Sequence, residues 1–185
     1  VLAMYPDWFA PGTIDFHPSL INCGFPLDDV DGGDFTPPQN RPIVFTSGTA
    51  HQHCRQFFQA AADACERLGR SGLFLTGYSE NLPDPLPEGI SAMGYASLRR
   101  LLPECSAIVH HGGIGTTSQA LAAGVPQLIR PLAFDQFDNA VRVERLGCGR
   151  WLRSDSQLAG TLASVLESSQ SSLRDSLSLV AKRLE

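Results

Sequence analysis

Short apolar runs alternate with longer amphipathic stretches along most of this chain. Pro42-Ile43-Val44-Phe45-Thr46 is apolar and short enough for a buried strand. Cys54, Phe57, Phe58, Ala61, Cys65 and Leu68 then recur at helical spacing, and Gly69 stands where a C-terminal cap belongs. Gly72 to Gly77 reads as a second strand, and Tyr78 to Glu88 as a proline-containing loop. Ile90 to Gly94 reads as a third strand, leading through Tyr95-Ala96-Ser97-Leu98 to a short helix with Ser97 as its cap. Ala107-Ile108-Val109 begins a fourth strand, followed by an Ala/Leu-rich helix that stops at Gly124. Val125 to Arg130 is a fifth, with Pro126 early enough to cost no ladder bond. A helix from Asp135 to Leu146 ends at Gly147, with Asp135 well placed as its N-cap. Ser154-Asp155-Ser156-Gln157 fits a capping box for a helix to about Glu167. After a polar break at Ser168 to Ser172, Leu173, Leu177, Val180, Ala181 and Leu184 define a last amphipathic helix.

Strands and helices in alternation predict an α/β domain, a Rossmann-like parallel sheet with helices on both faces. Ligands of such folds bind outside the carboxyl ends of the strands. The loops at Thr49, Tyr95, His111 and Asp135 all follow strands, so they are expected on one rim. Residues 1–41 break the pattern. They are rich in Pro, Gly and Asp, and only Leu20 to Phe25 reads as a short strand, with loop around it.

The chain is organised around Val109-His110-His111-Gly112-Gly113-Ile114-Gly115-Thr116-Thr117, read as strand, glycine turn and helix. Glycines let a ligand approach the backbone. The first helical N–H groups and the positive end of the helix dipole then face it, a setting for phosphate. The third glycine of the dinucleotide fingerprint is missing, and no Gly-Lys-Ser or Gly-Lys-Thr occurs. By its letters alone the turn is either a phosphate site or a tight strand-to-helix turn. Ser47-Gly48-Thr49-Ala50 is a second such turn, where Thr49 suits either a ligand contact or a helix cap. Tyr95 suits core packing or a ligand contact equally.

Composition narrows the classes. The 185 residues suit one domain, with 43% hydrophobic and 18% charged residues. A net charge of −5 argues against nucleic acid as a partner. No apolar run approaches the ~20 residues of a membrane span. Val1-Leu2-Ala3-Met4 lacks a charged start and a full apolar core, so no signal peptide is expected. Cys23, Cys54, Cys65, Cys105 and Cys148 form no C-x-x-C pair, which points to reduced thiols and a cytoplasmic protein. Asp29-Val30-Asp31 has metal-site letters, but it reads as a solvated acidic turn, because Asp34 stands where a calcium loop needs glycine.

From His110 to Gly149 the chain reads HHGGIGTTSQALAAGVPQLIRPLAFDQFDNAVRVERLGCG. This closely resembles the nucleotide-sugar signature of the bacterial UDP-glycosyltransferase superfamily, the macrolide- and antibiotic-type enzymes with the GT-B fold. Weaker resemblance runs from about Pro6 to Leu166. What is matched is the C-terminal, donor-binding half of that architecture. The resemblance makes residues 1–41 an interdomain linker with a first strand, and 42–185 a nucleotide-sugar-binding domain. It implies a hexosyltransferase that moves a hexose from a UDP- or TDP-sugar to an acceptor hydroxyl with inversion. His111, the second histidine of the pair, would hold the diphosphate with the amides of Gly113 to Thr116, Gly115 included. Gly48 and Thr49 would face the same diphosphate. The base would lie against backbone at Ala96 and Leu98, and Asp135 and Gln136 would bind sugar hydroxyls. Gln119 stands where the family usually has a Glu for the ribose hydroxyls, a weaker acceptor than a carboxylate. No metal and no cofactor is expected beyond the donor substrate. The general base and the small-molecule acceptor site belong to the N-terminal half of the family's architecture, so no catalytic residue is assigned here. A UDP-sugar 2-epimerase of the same architecture and a non-enzymatic binding module are the alternatives. No G-x-S-x-G elbow supports hydrolase chemistry.

Overall fold

The structure is a computed structural model that describes residues 1–10, 19–29, 36, 38–49, 53–167 and 172–184. Asp31 and Asp34 of the acidic turn, Ala50 of the second glycine turn and Ser168 to Ser171 of the polar break lie outside these residues.

Two short strands, β1 (Leu2–Ala3) and β2 (Ile21–Asn22), pair in parallel. The main sheet holds β3 (Ile43–Thr46), β4 (Gly72–Leu75), β5 (Ile90–Met93), β6 (Ala107–His110), β7 (Gln127–Ile129) and β8 (Gly149–Trp151). All its pairings are parallel, in the order β5-β4-β3-β6-β7-β8. Counted from the first strand of the sheet, this is the doubly wound order 3-2-1-4-5-6. The order reverses between β3 and β6, where Thr46 and His110 are register partners at the carboxyl edge.

The helices are α1 (Arg55–Leu68), α2 (Leu98–Leu101), α3 (Ile114–Ala122), α4 (Gln136–Arg145), α5 (Leu158–Glu167) and α6 (Ser172–Ala181). The expected covering of both sheet faces is borne out, and the pleat does the sorting. Ile43 and Phe45 of β3 enter a core with Phe57, Phe58 and Ala61 of α1 and Leu158 and Leu162 of α5. Val44, between them, joins Leu73, Ile108, Leu101 and Ala120 on the opposite face. Edge-to-face contacts join Phe45 to Phe57 and to Phe74, with centroids 6.3 and 5.5 Å apart. Burying each such ring contributes about 1.5–3 kcal/mol. Gly69 ends α1 in the left-handed conformation at φ 58°, with its own N–H and that of Arg70 returned to Glu66 and Cys65. Ser97 caps α2, accepting from the Arg100 N–H.

The structure departs from the sequence pattern in three places. First, the residues before β3 are more than loop. Phe9 and Ala10 are buried with Leu121, Ile129, Ala140, Val143 and Leu177, and Tyr5, Trp8 and Phe25 pack against them. These aromatics cluster without any period, so pattern reading passes over them. Second, Asp135 occupies the cap position of α4 without capping it. Its backbone is already helical, at φ −69° and ψ −10°, and makes no side-chain cap bond. Third, the capping box is incomplete, since Ser154 accepts from Ser156 N–H and starts a single 3-10 turn at Asp155–Gln157 before α5. No described helix is long and apolar enough to cross a membrane. The five cysteines are free, and all but Cys23 are buried.

Candidate functional site

A cleft of about 340 Å³ opens at the carboxyl edge, over the point where the strand order reverses. Thr46, Gly48 and Thr49 line it from the end of β3, Leu75 to Gly77 from β4, and Gly94 to Ala96 with Leu98 from β5. His111 and Gly113 to Thr116 line it from β6 and the start of α3. Its size lies within the range of small-molecule sites.

The two histidines at the end of β6 do different work. His110 is fully buried, with Nε2 2.9 Å from Gln127 Oε1 and Nδ1 accepting from Gly112 N–H at 3.1 Å. An Nδ1 that accepts leaves Nε2 as the donor to Gln127. The Gln127 amide in turn donates to the Thr117 carbonyl at 3.3 Å. Burial, with the neighbouring His111 charge second, lowers the His110 pKa to about 3 and keeps the ring neutral. His110 therefore locks the turn from below.

His111 is half-buried and lies between two glycines. A Cβ on Gly48 would stand 2.7 Å from its Cε1, and one on Gly113 would collide with its Nε2. Gly48 also holds φ +80°, a conformation costly for other residues. Both glycines thus leave the volume the imidazole fills.

The N-terminus of α3 opens into the cleft. Its cap residue, Gly113, has no side chain to offer, and the first helical bond is Thr117 N–H to Gly113 O. The amides of Ile114, Gly115 and Thr116 precede that bond and are left for solvent or an anion. Thr117 and Ser118 turn their hydroxyls back onto the Gly113 and Gly115 carbonyls at 3.0 and 2.9 Å. Of these hydroxyl residues only Thr116 lines the cleft.

Thr49 lines the cleft and caps no helix, because α1 starts at Arg55 with Cys54 before it. The Cys54 N–H is met by Asn81 Oδ1 at 3.0 Å. Gln119 is only 8% exposed and donates its amide to the Leu27 carbonyl at 2.9 Å. Asp135 borders a neighbouring hollow with Asn139, Arg142 and residues 1–5, and Ile114 borders both spaces. Asn139 Nδ2 donates to both Asp135 Oδ2 and the Gly112 carbonyl at 2.9 Å, tying α4 to the glycine turn. Gln136 turns its amide oxygen inward, accepting from the Leu132 and Ala133 N–H groups at 2.8 and 3.0 Å.

Of the residues singled out in the sequence, Gly48, Thr49, Ala96, Leu98, His111, Gly113, Gly115 and Thr116 come together on one cleft. Asp135 stands on the same rim in the adjoining space, whereas Gln119 and Gln136 are buried and line neither space. Gln127, Asn139, Asn81 and Asp29 were missed as supports. Only Gln127 carried a signal, a buried polar residue between apolar neighbours of a strand.

A parallel sheet in this order, with an open helix terminus at its switch point, defines the doubly wound class of α/β domain. The family described as Erythromycin biosynthesis protein CIII-like, C-terminal domain, matches residues 75–181, and the chain belongs to it. Elloramycin glycosyltransferase ElmGT of Streptomyces olivaceus is 50% identical over 116 residues, which cover 61% of this chain and 30% of that protein. Aclacinomycin-T 2-deoxy-L-fucose transferase of Streptomyces galilaeus is 36% identical over 121 residues, 63% of this chain and 28% of that protein. The same fold occurs in the glycotransferase of kitacinnamycin, at TM-score 0.85 and 21% identity over 99% of this chain and 50% of that one. It occurs also in the glycosyltransferase SnogD of Streptomyces nogalater, at TM-score 0.78 and 25% identity over 99% and 52%. The matched part is under a third of each of these curated relatives, and the chain covers about half of each solved one. The resemblance read from the His110–Gly149 signature is thereby borne out.

Proposed function

We propose that this chain is the donor-binding domain of an inverting glycosyltransferase, one that moves a hexose from a UDP- or TDP-sugar to the hydroxyl of a small-molecule acceptor. The observation that carries the reading is His111, set between Gly48 and Gly113 beside the uncapped start of α3. An imidazole donor and three free amides, with a helix dipole behind them, meet the demands of a diphosphate. The same groups stabilise negative charge on the departing nucleotide, an electrostatic contribution to transfer. Thr49 and Thr116 add hydroxyls to the diphosphate end. Asp135 keeps Oδ1 for a sugar hydroxyl while Oδ2 is occupied by Asn139, and Gln136 supplies donors beside it. The base rests against Ala96 and Leu98, and the ribose against Gln119. Acceptor site and general base come from an N-terminal half like that of the longer relatives, so the isolated chain binds nucleotide without transferring sugar. The unpaired thiols support a reducing, cytoplasmic setting.

Calorimetry with UDP, TDP and uridine tests this. His111→Ala should weaken UDP by about 1.5–3 kcal/mol, the range for a hydrogen bond to a charged group, and leave uridine nearly unchanged. Equal losses for both ligands would mean that His111 holds the fold and not the phosphate.

A further inference from the structure

The stretch Leu27–Asp29 is fastened at three points to residues on and beside the cleft. Asp29 Oδ1 accepts from the Tyr95 hydroxyl at 3.1 Å. Asp29 Oδ2 accepts from the Arg99 N–H, in the first turn of α2, also at 3.1 Å. The Leu27 carbonyl accepts from the Gln119 amide at 2.9 Å. On the chain side, Phe25 anchors the stretch by edge-to-face contacts with Trp8 and Phe9, at 6.1 and 5.0 Å between centroids. Tyr95, Ala96 and Leu98 line the cleft, so two of the three fastenings fall on or beside its wall.

Tyr95 is 57% exposed, and its hydroxyl is held by the Asp29 carboxylate. Ordering an aromatic side chain on contact with a ligand costs conformational freedom, and a bond that restrains it beforehand lowers that cost. The bond to Gln119 carries a second consequence. Only an amide NH2 can donate to the Leu27 carbonyl, and a carboxylate at position 119 would put a charged acceptor against another acceptor. The glutamine at position 119 is thus matched to this stretch. Its Nε2 holds Leu27, and its Oε1 is left as an acceptor.

We infer that Leu27–Asp29 is a positioning strap for the nucleoside: through Asp29 and Leu27 it presets Tyr95, the start of α2 and Gln119 for base and ribose, while the diphosphate end is independent of it. This rests on the donor-binding reading of the cleft. Asp29 and Leu27 act through the residues they hold and need not touch the nucleotide.

The test titrates UDP and inorganic pyrophosphate into the wild-type chain, Asp29→Ala, Tyr95→Phe and the double variant, with thermal midpoints measured without ligand. Asp29→Ala should weaken UDP about threefold to tenfold, the value of one preset aromatic side chain, and leave pyrophosphate within about twofold. Tyr95→Phe should weaken UDP by a similar or smaller factor. The double variant should match Asp29→Ala alone, because Asp29→Ala already removes the bond that Tyr95→Phe removes, and Asp29→Asn should recover part of the loss. Unchanged UDP affinity in Asp29→Ala, with wild type binding UDP, overturns the strap and leaves the donor reading standing. Equal loss of UDP and pyrophosphate also overturns it, since the stretch then only supports the fold. Wild-type chain that binds neither UDP nor TDP overturns the donor reading and the strap with it.

Discussion

Mild acid should destabilise this protein through His110. The ring is fully buried, spends Nε2 on Gln127 and Nδ1 on Gly112, and has no room for a second proton. Protonation would turn Nδ1 into a donor facing the Gly112 N–H, another donor. In the unfolded chain the imidazole titrates near its ordinary 6.5, against about 3 in the fold. The sign follows from proton counting. Between those values the unfolded state binds more protons, so stability is complete above pH 6.5 and is lost as pH falls toward 3. At about 1.4 kcal/mol per pH unit the full window is worth roughly 5 kcal/mol, and the stretch from 6.5 to 5 about 2 kcal/mol. Urea unfolding followed by tryptophan fluorescence at pH 7.5, 6.5, 5.75 and 5.0 reads the upper part, before carboxylates dominate. His110→Gln removes the titration; its amide can donate to Gln127 in place of Nε2, but the Gly112 N–H loses its Nδ1 acceptor, which should cost about 1–3 kcal/mol at pH 7.5. Its stability should then fall with acid about 2 kcal/mol less than that of the wild type. Parallel slopes for the two proteins would refute the buried neutral histidine.

Three further outcomes concern the glycines and the thiols. Gly113→Ala should displace the His111 ring and reduce UDP affinity about as much as His111→Ala. Gly115→Ala, where a Cβ meets nothing within 4 Å, should raise stability by ~0.5–1 kcal/mol in urea unfolding. A thiol-specific reagent at pH 8 should label Cys23 quickly and the other cysteines only after unfolding. Burial pushes Cys65 and Cys105 up to about 12 and Cys148 to about 11, and Cys54 is buried as well.

What could be read from the chain was what period and glycine placement encode. Strands β3 to β7 and helices α1 and α3 to α6 stand where apolar spacing put them, because a doubly covered sheet demands unbroken apolar strands and one-sided helices. The strand β8 escaped notice, for Gly149-Arg150-Trp151 has neither run nor alternation. Phe9 entered the core from a segment read as loop, through aromatic contacts rather than any repeat. Within the site, the rim of Thr49, His111 and Thr116 was legible because strand ends must meet there. The supports were not. Nothing local in Asp29 announces a bond to Tyr95, 66 positions away, or in Gln119 one to Leu27, 92 away. Side-chain bonds of such separation follow from the closed fold and leave no periodic trace.

The histidine pair shows how one strand end serves stability and chemistry together. His110 is the last residue of β6 and stays buried in the sheet, whereas His111 follows the strand end and lines the cleft. The inward ring closes a chain from Gly112 through His110 and Gln127 to Thr117, which binds β6, β7 and α3 to each other. That chain fixes Gly112 at φ +89°, next to the residue whose ring must face the cleft. At Gly112 a Cβ would stand 2.6 Å from Ile129 and 3.2 Å from the Gln136 carbonyl, so the turn also sets how closely α4 approaches. Asn139 then reaches from α4 to the Gly112 carbonyl and to Asp135 at once. Phosphate end and sugar end of the proposed site are therefore referenced to the same peptide. A change at His110 reaches both ends without touching either, whereas a change at His111 leaves Asp135 where it is.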